Sequence, residues 1–449
     1  NDIDKVKVTR TVDGNDFVSN FDYSDTAEDW KLTKGSGSNE KITTKTRYTT
    51  ENENEEMVET TVKDGSGNVA LKKQKWVETF TVNGKKKKLA TKKVKDPDGD
   101  ALTEYYEAYT DPAADGYLRR KSVHRSDGSW AKYSYDSEHR KDLVVRSYGD
   151  VEWSQVESLT AAFAAAYGRA VYYDYTAVVP DDQPDNRDSR PRTVTKKIEG
   201  TTVSKTFHAY KTNTDGEKVE ITERAASPSG SYGDAANLRT TKTYYAESAG
   251  DAEAGRVKTV EYPDGRLDTY TYAYGTYNSS SDPAQASFSV DSSGEDLKTT
   301  VTHGTTSNPD GVADKTTREV SVETAAGENP LKETYVYTGS GYERIDWTVK
   351  DYDDQGRVTA THYSDGTSHQ VTWGCCGKES EIMRDGTKYT YTYDELDRVA
   401  SKTKVPADEN TADITTAYTY DAAGRVLQQT RTGGSLSLST SKQYDDAGR

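Results

Sequence analysis

One six-residue pattern is written five times in this chain: YDSEHR at Tyr135–Arg140, YDDQGR at Tyr352–Arg357, YDELDR at Tyr393–Arg398, YDAAGR at Tyr420–Arg425 and YDDAGR at Tyr444–Arg449. A unit repeated in this way points to one supersecondary element used again and again. Its residue types specify a turn. Asp136, Asp353, Asp394, Asp421 and Asp445 suit the first position of a type I turn, where a short carboxylate can bond the backbone ahead. Gly356, Gly424 and Gly448 suit the fourth position, in the left-handed region. Two copies replace that glycine with His139 and Asp397, which are among the non-glycine residues enriched at positive φ. The hexad therefore predicts a hairpin turn between an incoming strand ending in tyrosine and an outgoing strand beginning with Arg140, Arg357, Arg398, Arg425 or Arg449. The arginine can stack on a tyrosine or pair with the aspartate across the turn, so the expected role of the motif is packing.

The flanking sequence agrees. Asp-Gly occurs ten times and Asn83-Gly84 adds an eleventh turn signal, and such pairs between alternating segments signal hairpins because both residues tolerate positive φ. In RLDTYTYAY and TKYTYTY, which follow Asp264-Gly265 and Asp385-Gly386, every second residue is apolar or aromatic, the period of a strand with one buried face. Larger units align too: Gly255–Tyr272 resembles Gly356–Trp373, with Gly116–Tyr135 a looser copy. The aliphatic content is low, since Val, Leu, Ile and Phe total 63 of 449 residues, a level associated with disorder. The 33 tyrosines argue otherwise, because a tyrosine buries its ring while keeping its hydroxyl wet.

The predicted fold class is all-β: a repetitive antiparallel β-hairpin array, a spiral shell or fibre-like strip, with one short helix over 153–170. The Ala-rich composition of that segment and the capping-box spacing of Ser154 and Glu157 predict the helix. Divergent hairpin repeats are expected over 1–177 and 193–349, an exposed Pro/Asp-rich loop over 178–192, and regular repeats over 350–449 continuing beyond the last residue. Long polar loops are expected at 279–296 and 305–315.

A net charge of −16 argues against a nucleic-acid role, which needs a basic stripe. No apolar run approaches the ~20 residues of a membrane-spanning helix. Lys85–Lys88, directly after Asn83-Gly84, reads as a hairpin tip and its outgoing strand. No nucleophile elbow, zinc-protease helix or phosphate loop is present, so no catalytic residue and no cofactor is expected. Asp96, Asp98 and Asp100 have alternating oxygen ligands, as calcium loops do, but lack the rest of an EF-hand. They form a weak calcium candidate against the simpler reading of an acidic turn. His362 and His369 flank the Asp365-Gly366 turn. Cys375 and Cys376 are the only cysteines. Being adjacent, they can form a strained vicinal disulfide, stay reduced in a Gly-flanked bend, or link to another chain.

The hexads, with the preceding YTY and the following RV, resemble the YD repeats of the Rhs and teneurin-like families, which include the C components of bacterial toxin complexes. The match is specific over 350–449 and supported near Tyr133. The resemblance implies long hairpin strips spiralling into a hollow shell, which in bacterial members can enclose a toxic segment cut free by an aspartyl protease. The protease motif itself, Asp-Pro-x-Gly followed by an aliphatic residue, is absent. The expected function is a non-catalytic scaffold of a secreted or surface-displayed protein. Its partners would be neighbouring repeats of the same chain, with self-assembly or cell-surface glycans and proteins as further candidates. The alternative is an extracellular adhesive fibre or glycan-binding module.

Overall fold

Alternating sequence of this kind, interrupted by turn residues at short intervals, has one economical solution: strands that pair with their neighbours in the chain. The computed structural model describes residues 5–12, 15–24, 29–34, 41–63, 66–183, 189–309, 311–313, 316–374, 377–394, 396–421 and 423–444. Among them are 31 β-strands, two α-helical turns and a 3-10 turn at Pro283–Gln285. Cys375, Cys376, Asp445, Gly448 and Arg449 lie outside the described residues.

The chain divides into two compact units. The first comprises Asn1–Ala170, Trp373–Ser380 and Thr387–Arg449, the second Val171–Thr372 and Glu381–Gly386. In the first unit, antiparallel pairs run in chain order from Lys5–Val12 to Lys141–Ser147 and again from Lys388–Tyr393 to Leu436–Ser441. In the second, the same rule runs from Thr193–Ile198 to Ser368–Trp373. There, Arg266–Asn278 pairs with Asp296–Thr305 and, at its far end, with Ser287–Val290. The stretch expected as a polar loop over 279–296 thus contains a strand, and its Ala286 joins Val322, Leu331 and Val349 in a buried cluster.

The Asp-Gly turns differ from the expectation in one respect. At Gly128, Gly216, Gly265, Gly366 and Gly386 only the glycine has positive φ. Around Gly265, Gly265 N–H donates to Tyr262 O at 3.0 Å and Tyr262 N–H to Arg266 O at 2.9 Å. This is a type I turn closed by a left-handed glycine, with the aspartate at its third position. The two-residue turn with positive φ at both positions occurs instead at Asn83-Gly84 (φ 50° and 73°), between Val69–Val82 and Lys85–Lys95, and at Glu199-Gly200 (φ 47° and 80°).

The predicted single helix is two four-residue turns, Trp153–Val156 and Ala161–Ala164, and the segment ends in the strand Gly168–Asp174. Ser154 and Glu157 do not form the capping box. Glu152 caps the first turn with Gln155 as its partner, and Thr160 starts the second by accepting from Phe163 N–H. The second turn packs on the strands Trp130–Tyr135 and Lys141–Ser147. Trp130, Leu143, Val144, Val145, Val156 and Ala164 are all buried. Small alanines let the backbone approach the sheet closely; the run that reads as helix propensity thus also serves packing.

Candidate functional site: a clasp between successive hairpins

In the four hexads whose turns are described, the aspartate closes the turn twice over. Its Oδ1 accepts from the backbone N–H of the arginine four residues on, at 2.8 Å for Asp136–Arg140, 3.0 Å for Asp353–Arg357, 3.0 Å for Asp394–Arg398 and 2.7 Å for Asp421–Arg425. Its Oδ2 accepts from the same arginine's Nε, at 2.8, 2.7, 2.7 and 2.5 Å. Asp353 is held below the ordinary carboxylate range chiefly by the Arg357 guanidinium. Asp136 is also lowered: burial pushes it up, but Arg140 outweighs burial. The left-handed position holds Gly356 (φ 72°), Gly424 (87°), His139 (61°) and Asp397 (59°). A bulge falls at the tyrosine in each copy, at Tyr135, Tyr352, Tyr393 and Tyr420, as expected when a left-handed residue ends a type I turn.

With the arginine fixed by its own aspartate, its outer face is presented to the next hairpin. The Arg398 guanidinium lies 4.4 Å from the Tyr420 ring, and Arg425 lies 4.6 Å from Tyr444. The same tyrosines donate their hydroxyls to the carbonyl just after that arginine: Tyr420 to Val399 O at 2.8 Å, Tyr444 to Val426 O at 2.7 Å. At these two hexads, ring, hydroxyl and guanidinium thus form a clasp joining one hairpin to the one before it, whereas Tyr352 accepts from Asn329 N–H at 3.1 Å. Two fuller copies occur, one in each unit. In the first, Arg119 lies over Tyr135, Tyr135 donates to Arg120 O, Tyr109 donates to Tyr133 O, and the Tyr109 and Tyr135 rings meet edge to face. In the second, Arg256, Tyr272, Val257, Tyr245 and Tyr270 repeat these contacts. Burial pushes the hydroxyls of Tyr135, Tyr272 and Tyr420 above their ordinary value. Where the arginine is missing, Gly377 takes its place: Tyr393 donates to Lys378 O at 2.9 Å, and a Cβ on Gly377 would come within 2.5 Å of the Tyr393 hydroxyl. Sequence reasoning missed Tyr109, Arg119, Tyr245 and Arg256, because they lie outside the hexad. The aligned units Gly116–Tyr135 and Gly255–Tyr272 carry the signal for the arginines.

The other candidates are engaged elsewhere. Asp98 meets Lys72 at 3.0 Å, Asp100 meets Arg425, and Asp96 sits in a turn at φ 53°. His362 pairs with Asp351 at 2.9 Å and His369 with Glu381 at 3.4 Å, so the two histidines do not face each other. Among the described residues no group of three or more His, Cys, Asp and Glu is arranged to hold a metal ion. In the segment expected as an exposed loop over 178–192, the described residues 178–183 and 189–192 are irregular but anchored. Asp182 and Arg192 form a buried ion pair at 2.7 Å, with side chains 0% and 3% exposed. Asp181 is gripped by Tyr232, Lys211 and Arg239, of which the Tyr232 hydroxyl does most to hold it below its ordinary value. The pattern of Pro and Asp gave the loop; its anchoring depends on the Asp182–Arg192 pair within it and on Lys211, Tyr232 and Arg239, which lie much further along the chain.

No family model matches the chain, and no curated protein matches it. Among solved structures, it is similar to a chain described as TcdB2-TccC3-TEV, at 11% identity and a TM-score of 0.22, over 91% of this chain and 27% of that one. It is also similar to a porin-like protein from Bacteroides uniformis ATCC 8492, at 8% identity and a TM-score of 0.21, over 67% of this chain and 95% of that one. The chain spans about a quarter of the length of the first of these. At such TM-scores neither alignment carries an argument about function.

Proposed function

We propose that this chain is part of the non-catalytic β-wall of a large secreted or surface-displayed YD-repeat protein, a wall able to enclose a toxin or other cargo. The observation that carries this reading is the clasp. The recurrent Tyr, Asp and Arg close their own turn and bind the adjacent hairpin, so the motif serves to extend an array. A second contact supports it within the first unit: Arg425 also pairs with Asp100, 325 positions earlier, and Leu396, Arg398 and Gly424 border a hollow with Leu32, Thr43, Val62 and Leu71. Late hairpins thus lie against early ones, the arrangement a wall needs and a simple strip lacks. The test is Tyr393→Ala. A wall residue lowers thermal stability when truncated and leaves any glycan or cell binding of the folded protein intact. A variant that stays fully stable but loses glycan binding would overturn the scaffold reading in favour of an adhesin.

A further inference from the structure

The hairpin of Val69–Val82 and Lys85–Lys95 carries ten lysines and one glutamate in a chain of net charge −16. Several of these lysines are used internally. Lys72 meets Asp98 at 3.0 Å and Glu59 at 3.5 Å, Lys88 meets Glu56 at 2.5 Å, and Lys92 lies 4.6 Å over the Trp76 ring. Lys73, Lys75, Lys93 and Lys95 are different. The register sets Lys73 opposite Lys95 and Lys75 opposite Lys93, and alternation along each strand puts all four on one face. Like charges directly opposite one another destabilise a sheet. Yet among the described residues Lys73, Lys75 and Lys95 make no ion pair, while Lys93 stands opposite Glu104 in the register and approaches the Tyr106 ring at 5.2 Å. The four border a hollow of about 490 Å³ that also includes Val58 and Leu102. Of its two carboxylates, Glu104 pairs with Arg125 at 2.7 Å and Asp127 accepts from the Ser129 N–H at 2.8 Å within its own turn. The sheet therefore keeps a block of like-charged cations beside an apolar depression, of which Lys73, Lys75 and Lys95 have no carboxylate partner among the described residues.

We propose that this face binds an extended acidic peptide segment, whose carboxylates neutralise Lys73, Lys75, Lys93 and Lys95. Charge complementarity argues for an anion. The spacing argues for a peptide: lysines two residues apart on a strand repeat at about 6.6–6.8 Å, the repeat of alternate side chains in an extended chain. Binding relieves the cross-strand repulsion, and salt weakens it.

Fluorescence anisotropy with the full chain tests this. The probes are a labelled decapeptide of alternating glutamate and threonine, its isomer with the glutamates in one block, and a heparin oligosaccharide. The alternating peptide is expected to bind most tightly. Lys73→Gln/Lys95→Gln and Lys75→Gln/Lys93→Gln should each weaken it about tenfold, while Lys85→Gln/Lys86→Gln, at the turn, leaves it unchanged. Melting temperatures of the first two variants should not fall, since a like-charge pair is removed. Equal affinity for the blocked isomer, tighter binding of heparin, or equal loss in the turn variant would overturn the proposal.

Discussion

The hexad glycine has a role that packing does not share. At Gly424 a Cβ would meet nothing within 4 Å, while φ is 87°, so any penalty for a side chain there is backbone strain alone. Gly424→Val should therefore destabilise by about 1–3 kcal/mol, and Gly424→Asn much less. Urea denaturation of the two variants checks this, and equal midpoints would remove the turn argument. His139 and Asp397 make the same point within the chain itself, since both occupy the glycine position at positive φ. The tyrosine side is separable. Tyr420→Phe keeps the ring under Arg398 and deletes only the bond to Val399 O, a loss of about 0.5–1.5 kcal/mol. The turn was legible from the residue types of the hexad. The clasp was not, because the partner of Arg398 or Arg425 is a tyrosine in the next hairpin, at a spacing that varies with loop length.

At the scale of elements, two features hold what the hairpins alone do not. The helical turns are held by a stack in which His124 lies between Tyr105 and Trp153, at ring separations of 4.7 and 4.6 Å. Lys132 donates to Glu157 O and Leu159 O and lies over the Trp153 ring. Burial lowers the affinity of His124 for a proton, against the pull of Glu107 and Glu157. A histidine held below its ordinary value favours the neutral form in the fold. Its contribution is thus complete above the unfolded value of about 6.5 and is lost as pH falls through the lower folded value. Melts between pH 7.5 and 5 should show this loss in the native chain and less of it in His124→Phe; identical profiles would contradict it. In the second unit, Asp182→Ala removes the carboxylate that the buried Arg192 meets at 2.7 Å, at a cost of about 3–5 kcal/mol, measurable by chemical denaturation. Neither device was visible beforehand: an Ala-rich run suggested one continuous helix, and a Pro/Asp-rich run suggested solvent, because both readings weigh local composition and the outcome was set by tertiary partners.

Across the whole molecule, the sequence made the all-β class readable because period-2 alternation and turn residues reinforce each other in segment after segment. Its scarcity of aliphatic residues is offset by compact clusters, among them those around Val322 and Ile221 and the buried group of Trp130, Val145, Val156 and Ala164. Elsewhere, clasps and ion pairs link neighbouring strands. Stability in such an array is dominated by nearest-neighbour terms. Hydrogen–deuterium exchange on Tyr420→Ala tests this most directly. The account predicts faster exchange in Val399–Val405, Ile414–Tyr420 and Val426–Gly433, with protection unchanged in Thr317–Glu323 and Leu331–Tyr337 of the other unit. A uniform rise across the chain, or no change around the substituted hairpin, would contradict a scaffold built from hairpins clasped one to the next.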